Sequence, residues 1–288
     1  MDYIQTILMG FIQGLSEFLP ISSSAHLVLV SAFYKLIQGS QLAQVSIHSS
    51  EEVFLDIMLH LGTLFAVVIY FRRKLFDIIK SFFISFKNKD FTSYDTKLGI
   101  YIICGTFITA IVGLLLNDIA EKLVFMPHIV ALLLICTGSL LLFSETISDK
   151  IKNKLQNINF LSAMLISIAQ GIAVFPGFSR SGLTIATGLL TKNSRKISAE
   201  FSFLLSVPII FGASMVYPFL KLDFSQLISF NWSSILLGTF VSFASGYLCI
   251  KYFMKFLEKF SLRFFGYYCL CIGLISIFIF KNLFFITS

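Results

Sequence analysis

Hydrophobic residues run through this sequence in long blocks, and the polar breaks between blocks define its elements. Six blocks are long enough to form membrane-spanning helices, at roughly 54–71, 98–117, 128–145, 200–219, 233–250 and 264–285, because a helix needs about 20 apolar residues to cross the hydrocarbon. They are apolar on all faces and lack the alternation of an outer-membrane strand. Two further apolar regions are interrupted. The first, about 3–37, breaks at Pro20-Ile21-Ser22-Ser23-Ser24, and the second, about 161–191, breaks at Pro176-Gly177. Their arms, about 10–15 residues long, are too short to cross alone, so both regions are expected to be re-entrant helical hairpins. Irregular backbone at membrane depth persists only where protein buries it or where it lines a wet cavity.

Composition supports the membrane reading. Of the 288 residues 57% are hydrophobic and 13% charged, against about a quarter charged in a soluble domain. The net charge of +7 does not point to nucleic acid, because its distribution follows topology. Placing 72–97, 146–160, 192–199 and 251–263 on one side puts 17 of the 22 Lys and Arg residues there, and the positive side is the cytoplasmic one. The five cysteines lie inside apolar segments with no metal or disulfide spacing. No basic region precedes the first apolar stretch, so a cleaved signal peptide is not expected.

The two halves match when the chain is slid by 157 residues. Gln13-Gly14 falls on Gln170-Gly171, Phe18 on Phe175, Ser22 on Ser179 and Ser24 on Ser181. One hairpin followed by three spans, an odd number, inserts the second half upside down. The expected fold is therefore an all-α integral membrane protein forming one membrane domain, 1–288. It has six transmembrane helices and two re-entrant hairpins in an inverted-topology repeat. The first repeat is 1–145, with hairpin 3–37; the second is 156–288, with hairpin 161–191. Such folds place their site where the broken elements meet near the midplane.

The chemistry concentrates at the breaks. Arg180, with Ser179, Ser181 and Thr184 around it, is a permanent cation at membrane depth, which marks a functional site, and its fork suits a phosphate. Helix starts at the breaks supply further N–H groups for an anion. Gln13 and Glu17 share a helical face, and an ionised Glu17 must face a polar cavity, as a metal ligand or a general base. Ser22, Ser23 and Ser24 can cap a helix or cradle phosphate, one of them as nucleophile, and His26 is close enough in sequence to act as base or acid. His60 is read as a packing or helix–helix hydrogen-bonding residue, Asp56 and Glu200 as residues at span starts, and His48 and His128 carry no interpretable context. The 34 Phe residues are read as packing and lipid-facing surface.

Two motifs bring in a family. Gln13 to His26 (QGLSEFLPISSSAH) resembles the first motif of the BacA-type undecaprenyl-diphosphatases, and Pro176 to Ser181 (PGFSRS) resembles the second. Asp56–Phe71 and Glu200–Pro208 are also similar, so the resemblance covers essentially the whole chain. It implies an enzyme that removes the terminal phosphate of undecaprenyl diphosphate at the outer face of the bacterial inner membrane. That reaction recycles the carrier lipid for peptidoglycan and other wall polymers and is linked to bacitracin resistance. By position it assigns Glu17 and Gln13 to the acidic motif and metal, Ser23 to the nucleophile, His26 to the essential histidine and Arg180 to phosphate binding. Ser22, Ser24, Ser179, Ser181 and Thr184 join Arg180 as substrate-binding residues. The implied cofactor is a divalent cation, Mg2+ or Ca2+, and the implied partners are undecaprenyl diphosphate and the bilayer, with no nucleic acid; a homodimer is left open. Gln13 stands where some members carry Glu, which leaves one strong anionic ligand in this motif. The alternative function is a polyprenyl-phosphate transporter or flippase built on the same midplane site.

Overall fold

The computed structural model describes residues 3–37, 50–124, 126–221 and 230–286. Over these residues it is helical, with α1 Tyr3–Phe18, α2 Ser23–Ile37, α3 Ser50–Tyr70, α4 Arg72–Asn88, α5 Tyr94–Leu123, α6 Pro127–Lys150, α7 Phe160–Ile172, α8 Arg180–Leu190, α9 Arg195–Lys221, α10 Trp232–Lys259 and α11 Arg263–Ile286. Among the described residues the one strand-like contact is a bridge between Leu155 and Asn193. His48 lies outside the described residues.

Among the described residues five helices are long and apolar enough to cross a membrane: Ser50–Tyr70, Tyr94–Leu123, Pro127–Lys150, Arg195–Val216 and Trp232–Lys259. They carry five of the six expected spans. The sixth segment, 264–285, forms α11, in which Arg263–Ile279 is a shorter apolar helix. The loop expected at 72–97 instead contains α4, a 17-residue helix. Its Arg72, Arg73, Lys74, Lys80 and Lys87 hide it from a search for apolar blocks. Its Phe76, Ile79, Phe83 and Phe86 nevertheless form an exposed apolar stripe at helical spacing.

Both interrupted regions fold as helix–break–helix. Their arms have 16, 15, 13 and 11 residues, roughly 17–24 Å at 1.5 Å per residue, short of the ~30 Å hydrocarbon. Each break starts its second helix with a serine cap. Ser22 Oγ accepts from Ala25 N at 3.2 Å, and Ser179 Oγ accepts from Gly182 N at 3.0 Å. Both breaks need unusual backbone: Ser22 has φ +69° and Gly177 φ +105°. A Cβ on Gly177 would lie 2.3 Å from the Val130 carbonyl oxygen, so that position excludes a side chain twice over.

Small residues let the breaks dock deeply. Gly14 in α1 presses on Ser242, Ser245 and Gly246 of α10, and Gly171 in α7 presses on Thr109 and Val112 of α5. Packing of this kind, with hydrogen bonds across it, drives association where lipid removes the hydrophobic drive between helices. Thr109 Oγ1 donates to Ser167 O at 2.9 Å, and Ser242 Oγ donates to Leu59 O at 2.8 Å. Phe18, at the end of α1, is fully buried and meets Phe203 of α9 edge to face at 5.3 Å. At one end of the bundle the fully buried Glu145 of α6 accepts from Arg195 Nε at 2.8 Å and from Leu262 N at 2.9 Å, joining α6, α9 and the start of α11.

Candidate active site

The two breaks meet at Glu17. This carboxylate is the last turn of α1 and only 7% exposed. Arg180 Nη2, from the first residue of α8, donates to its Oε1 at 2.6 Å. Ser23 Oγ, from the first residue of α2, donates to Oε2 at 2.8 Å, and Gln13 Nε2 donates to the same oxygen at 2.9 Å. The three donors come from one turn earlier on α1, from the first break and from the second. Such a buried charge persists only when paired and hydrogen-bonded.

Two polar atoms here remain unmatched among the described residues. Arg180 Nη1 and Gln13 Oε1 are buried with no hydrogen-bond partner. The Gln13 amide is oriented by its bond to Glu17, which assigns Oε1 as the orphan acceptor. An orphan guanidinium donor suits an anionic oxygen, and an orphan amide oxygen suits a cation. Among the described residues no group of three His, Cys, Asp or Glu could hold a metal. Glu17 and the orphan Gln13 Oε1 are nonetheless oxygen donors of the kind a hard divalent cation takes.

The other serines of the two breaks divide by role. Ser181 Oγ donates to Leu19 O at 2.9 Å and Ser22 Oγ to Phe178 O at 3.2 Å, so each stitches one break to the other. Ser24 Oγ receives Gly177 N at a long 3.5 Å and lines the neighbouring cavity. Ser179 is occupied as a cap, and its own N–H donates to Thr137 Oγ1 at 3.2 Å. Thr184 turns from the site: its hydroxyl donates to Arg180 O at 2.7 Å and pairs with Ser202 Oγ at 2.6 Å.

His26 is engaged elsewhere than the sequence suggests. Its Nδ1 lies 2.7 Å from Ser22 O, and its Nε2 lies 2.8 Å from Tyr268 Oη. The carbonyl can only accept, so Nδ1 carries the proton and the tyrosine hydroxyl donates to Nε2. The hydroxyl of Ser23 is thus paired with Glu17 and not with His26.

Two residues join the site that the sequence left at spans and interfaces. His60 Nε2 of α3 is 3.9 Å from Glu17 Oε2, and its Nδ1 donates to Asp56 O at 2.9 Å. Asp56 and His60 are spaced i, i+4 like Gln13 and Glu17, which was the available signal. Tyr268 had none, because 242 residues separate it from His26. A cavity of about 430 Å³ opens beside these groups. Ser24, Asp56 and His60 form polar parts of its wall, and Leu27, Val28 and Ile210 are among its apolar residues. A pocket with both kinds of wall suits an amphipathic ligand with a polar head and an apolar tail.

Comparison with known proteins agrees in extent with this geometry. Residues 6–275 match the family described as bacitracin resistance protein BacA. Undecaprenyl-diphosphatase 1 of Pseudoalteromonas translucida (strain TAC 125) is 38% identical over 273 residues, covering 95% of this chain and 97% of that protein. The undecaprenyl-diphosphatase of Methanosphaera stadtmanae is 37% identical, covering 96% and 98%. That of Halothermothrix orenii is 38% identical with the same coverage.

Proposed function

Because the chain belongs to the family of bacitracin resistance protein BacA, we propose that it hydrolyses undecaprenyl diphosphate to undecaprenyl phosphate and inorganic phosphate. The observation that carries this reading is the convergence of Arg180 and Ser23 on Glu17 beside an amphipathic cavity. The physiological consequence is recycling of the carrier lipid for wall polymers, with bacitracin resistance as its outward sign. The transporter alternative draws no support from the names of the relatives described above.

In the proposed mechanism Arg180 exchanges part of its bond to Glu17 for phosphate oxygens, with its orphan Nη1 the first donor available. Serine cross-links between the breaks hold the two helix starts together as an anion cradle. Ser23 Oγ attacks the terminal phosphorus while its proton passes to Glu17 Oε2, the oxygen it already faces at 2.8 Å. The bond from that phosphorus to the bridging oxygen breaks, and undecaprenyl phosphate leaves. Water then attacks the phosphoserine, the bond from phosphorus to Ser23 Oγ breaks, the proton held on Glu17 returns to that oxygen to restore the hydroxyl, and inorganic phosphate departs. Glu17 and Gln13 Oε1 would hold a Mg2+ or Ca2+ ion, which when bound supplies neutralisation of diphosphate charge. The chain's own groups position the reacting oxygen and exclude bulk water, which is most of what phosphoryl transfer asks of a protein.

The same reading extends to topology. The proposed arrangement has six spans and two re-entrant hairpins in inverted repeats, 1–145 and 156–288, with the site open to the outside of the bacterial inner membrane. Three features support it. Lys and Arg segregate to one side, the matched glycines Gly14 and Gly171 dock on α10 and α5 of opposite halves, and the matched serines Ser22 and Ser179 cap alike. In this arrangement α4 lies along the cytoplasmic surface with its phenylalanine stripe toward lipid. The test of function is direct. Purified protein in detergent, given undecaprenyl diphosphate and Mg2+, should yield equimolar undecaprenyl phosphate and phosphate; intact substrate after prolonged incubation would end the proposal.

A further inference from the structure

His26 and Tyr268 come from opposite ends of the chain, and their contact is made twice. The Tyr268 hydroxyl donates to His26 Nε2 at 2.8 Å, and the two rings are stacked, 8° from parallel with centroids 5.7 Å apart. The other ring nitrogen, Nδ1, donates to the carbonyl of Ser22 at 2.7 Å. Ser22 is the residue with φ +69°, the strained point of the first break. For a residue with a Cβ that conformation is costly and persists only when its surroundings over-determine it. The next residue is Ser23, whose hydroxyl must stay on Glu17.

We infer that Tyr268 is a positioning residue for the reaction, acting through His26 to hold the strained Ser22 carbonyl and so aim Ser23. The inference rests on the hydrolase reading above. It assigns His26 a bracing role: its imidazole is the bridge between α11 and the break, with a fixed tautomer and both nitrogens engaged. The hydroxyl of Tyr268 supplies the outer end of that bridge. Without it, Nε2 loses its donor, the ring gains freedom about its side-chain torsions, and the Ser22 peptide can relax from φ > 0. Relaxation would swing Ser23 away from the phosphorus without removing any group that binds diphosphate. The expected signature is therefore a loss in kcat with KM unchanged.

The test is a double-mutant cycle on phosphate release from undecaprenyl diphosphate by the purified protein with Mg2+. Tyr268→Phe keeps the ring and its stack and removes only the hydroxyl. A neutral hydrogen bond of this kind corresponds to about a threefold to tenfold loss in kcat. In a His26→Leu background the same substitution should change nothing further, because its only route to the serine is gone. Unfolding temperatures of the four proteins separate loss of fold from loss of rate. A Tyr268→Phe protein with wild-type kcat, or one whose loss multiplies undiminished with that of His26→Leu, overturns the inference and leaves the hydrolase reading standing. A wild-type protein that releases no phosphate overturns both.

Discussion

Ser23 and Arg180 stand at matching positions of the two breaks, 157 residues apart, and each hydrogen-bonds a different oxygen of Glu17. One half of the chain thus contributes a hydroxyl and the other a cation at the same place in the local backbone. A single carboxylate from the first half holds both before substrate arrives. It keeps the serine hydroxyl oriented and keeps the guanidinium from being a lone buried charge.

Arg180→Ala removes the charge that meets the diphosphate. Loss of one charge-assisted donor from a dry site corresponds to about 3–4 kcal/mol, or 10²–10³ in rate. The expected result is a fall of that size in kcat/KM, with Arg180→Lys recovering only part of it because an ammonium lacks the planar fork. Steady-state phosphate release on folded protein checks this.

Ser23→Ala should abolish burst release of undecaprenyl phosphate, and acid quenching of the wild type during turnover should trap phosphate on Ser23. Full single-turnover hydrolysis by Ser23→Ala would instead favour direct attack by water.

Chelation should stop turnover, and added Mg2+ or Ca2+ should restore it. Gln13→Glu replaces a neutral ligand by an anionic one beside Glu17, so half-maximal activity should need less cation. An unchanged cation requirement would place the ion away from Gln13.

Two predictions concern stability. Gly177→Ala forces a Cβ into the Val130 carbonyl at φ +105°, and should lower stability by more than about 1 kcal/mol. Arg195→Ala strands the fully buried Glu145, a change that typically costs about 3–5 kcal/mol. Thermal unfolding in detergent should show both losses, the second larger.

Much of this was legible in the sequence because lipid imposes strict rules. Apolar length marks five spans, and polar interruptions mark both breaks, since neither can be disguised in hydrocarbon. Glu17 and Arg180 stood out for the same reason: charge at depth is too costly to be incidental. What the sequence hid were relations between distant residues. Nothing near Ser23 tells that its hydroxyl turns to Glu17 six residues back instead of His26 three residues ahead. That choice follows from the turn at Ser22 and from Tyr268, 242 residues beyond His26. His60 was passed over because one histidine in a span reads as packing until the helix is docked against Glu17. Thr184 looked like part of the cradle by its spacing, but helical geometry turns its hydroxyl to Ser202.

The central claim is that hydrolysis is organised around Glu17, and Glu17→Gln tests it most directly. The substitution keeps size but removes the charge that pairs Arg180, takes the Ser23 proton and would hold the cation, and it turns one of the two accepting oxygens into an amide donor. Phosphate release from undecaprenyl diphosphate should proceed in the wild type with Mg2+. It should fall by at least about 10³ in a folded Glu17→Gln protein, with no recovery at higher Mg2+. A folded Glu17→Gln protein that hydrolyses near the wild-type rate would contradict the account.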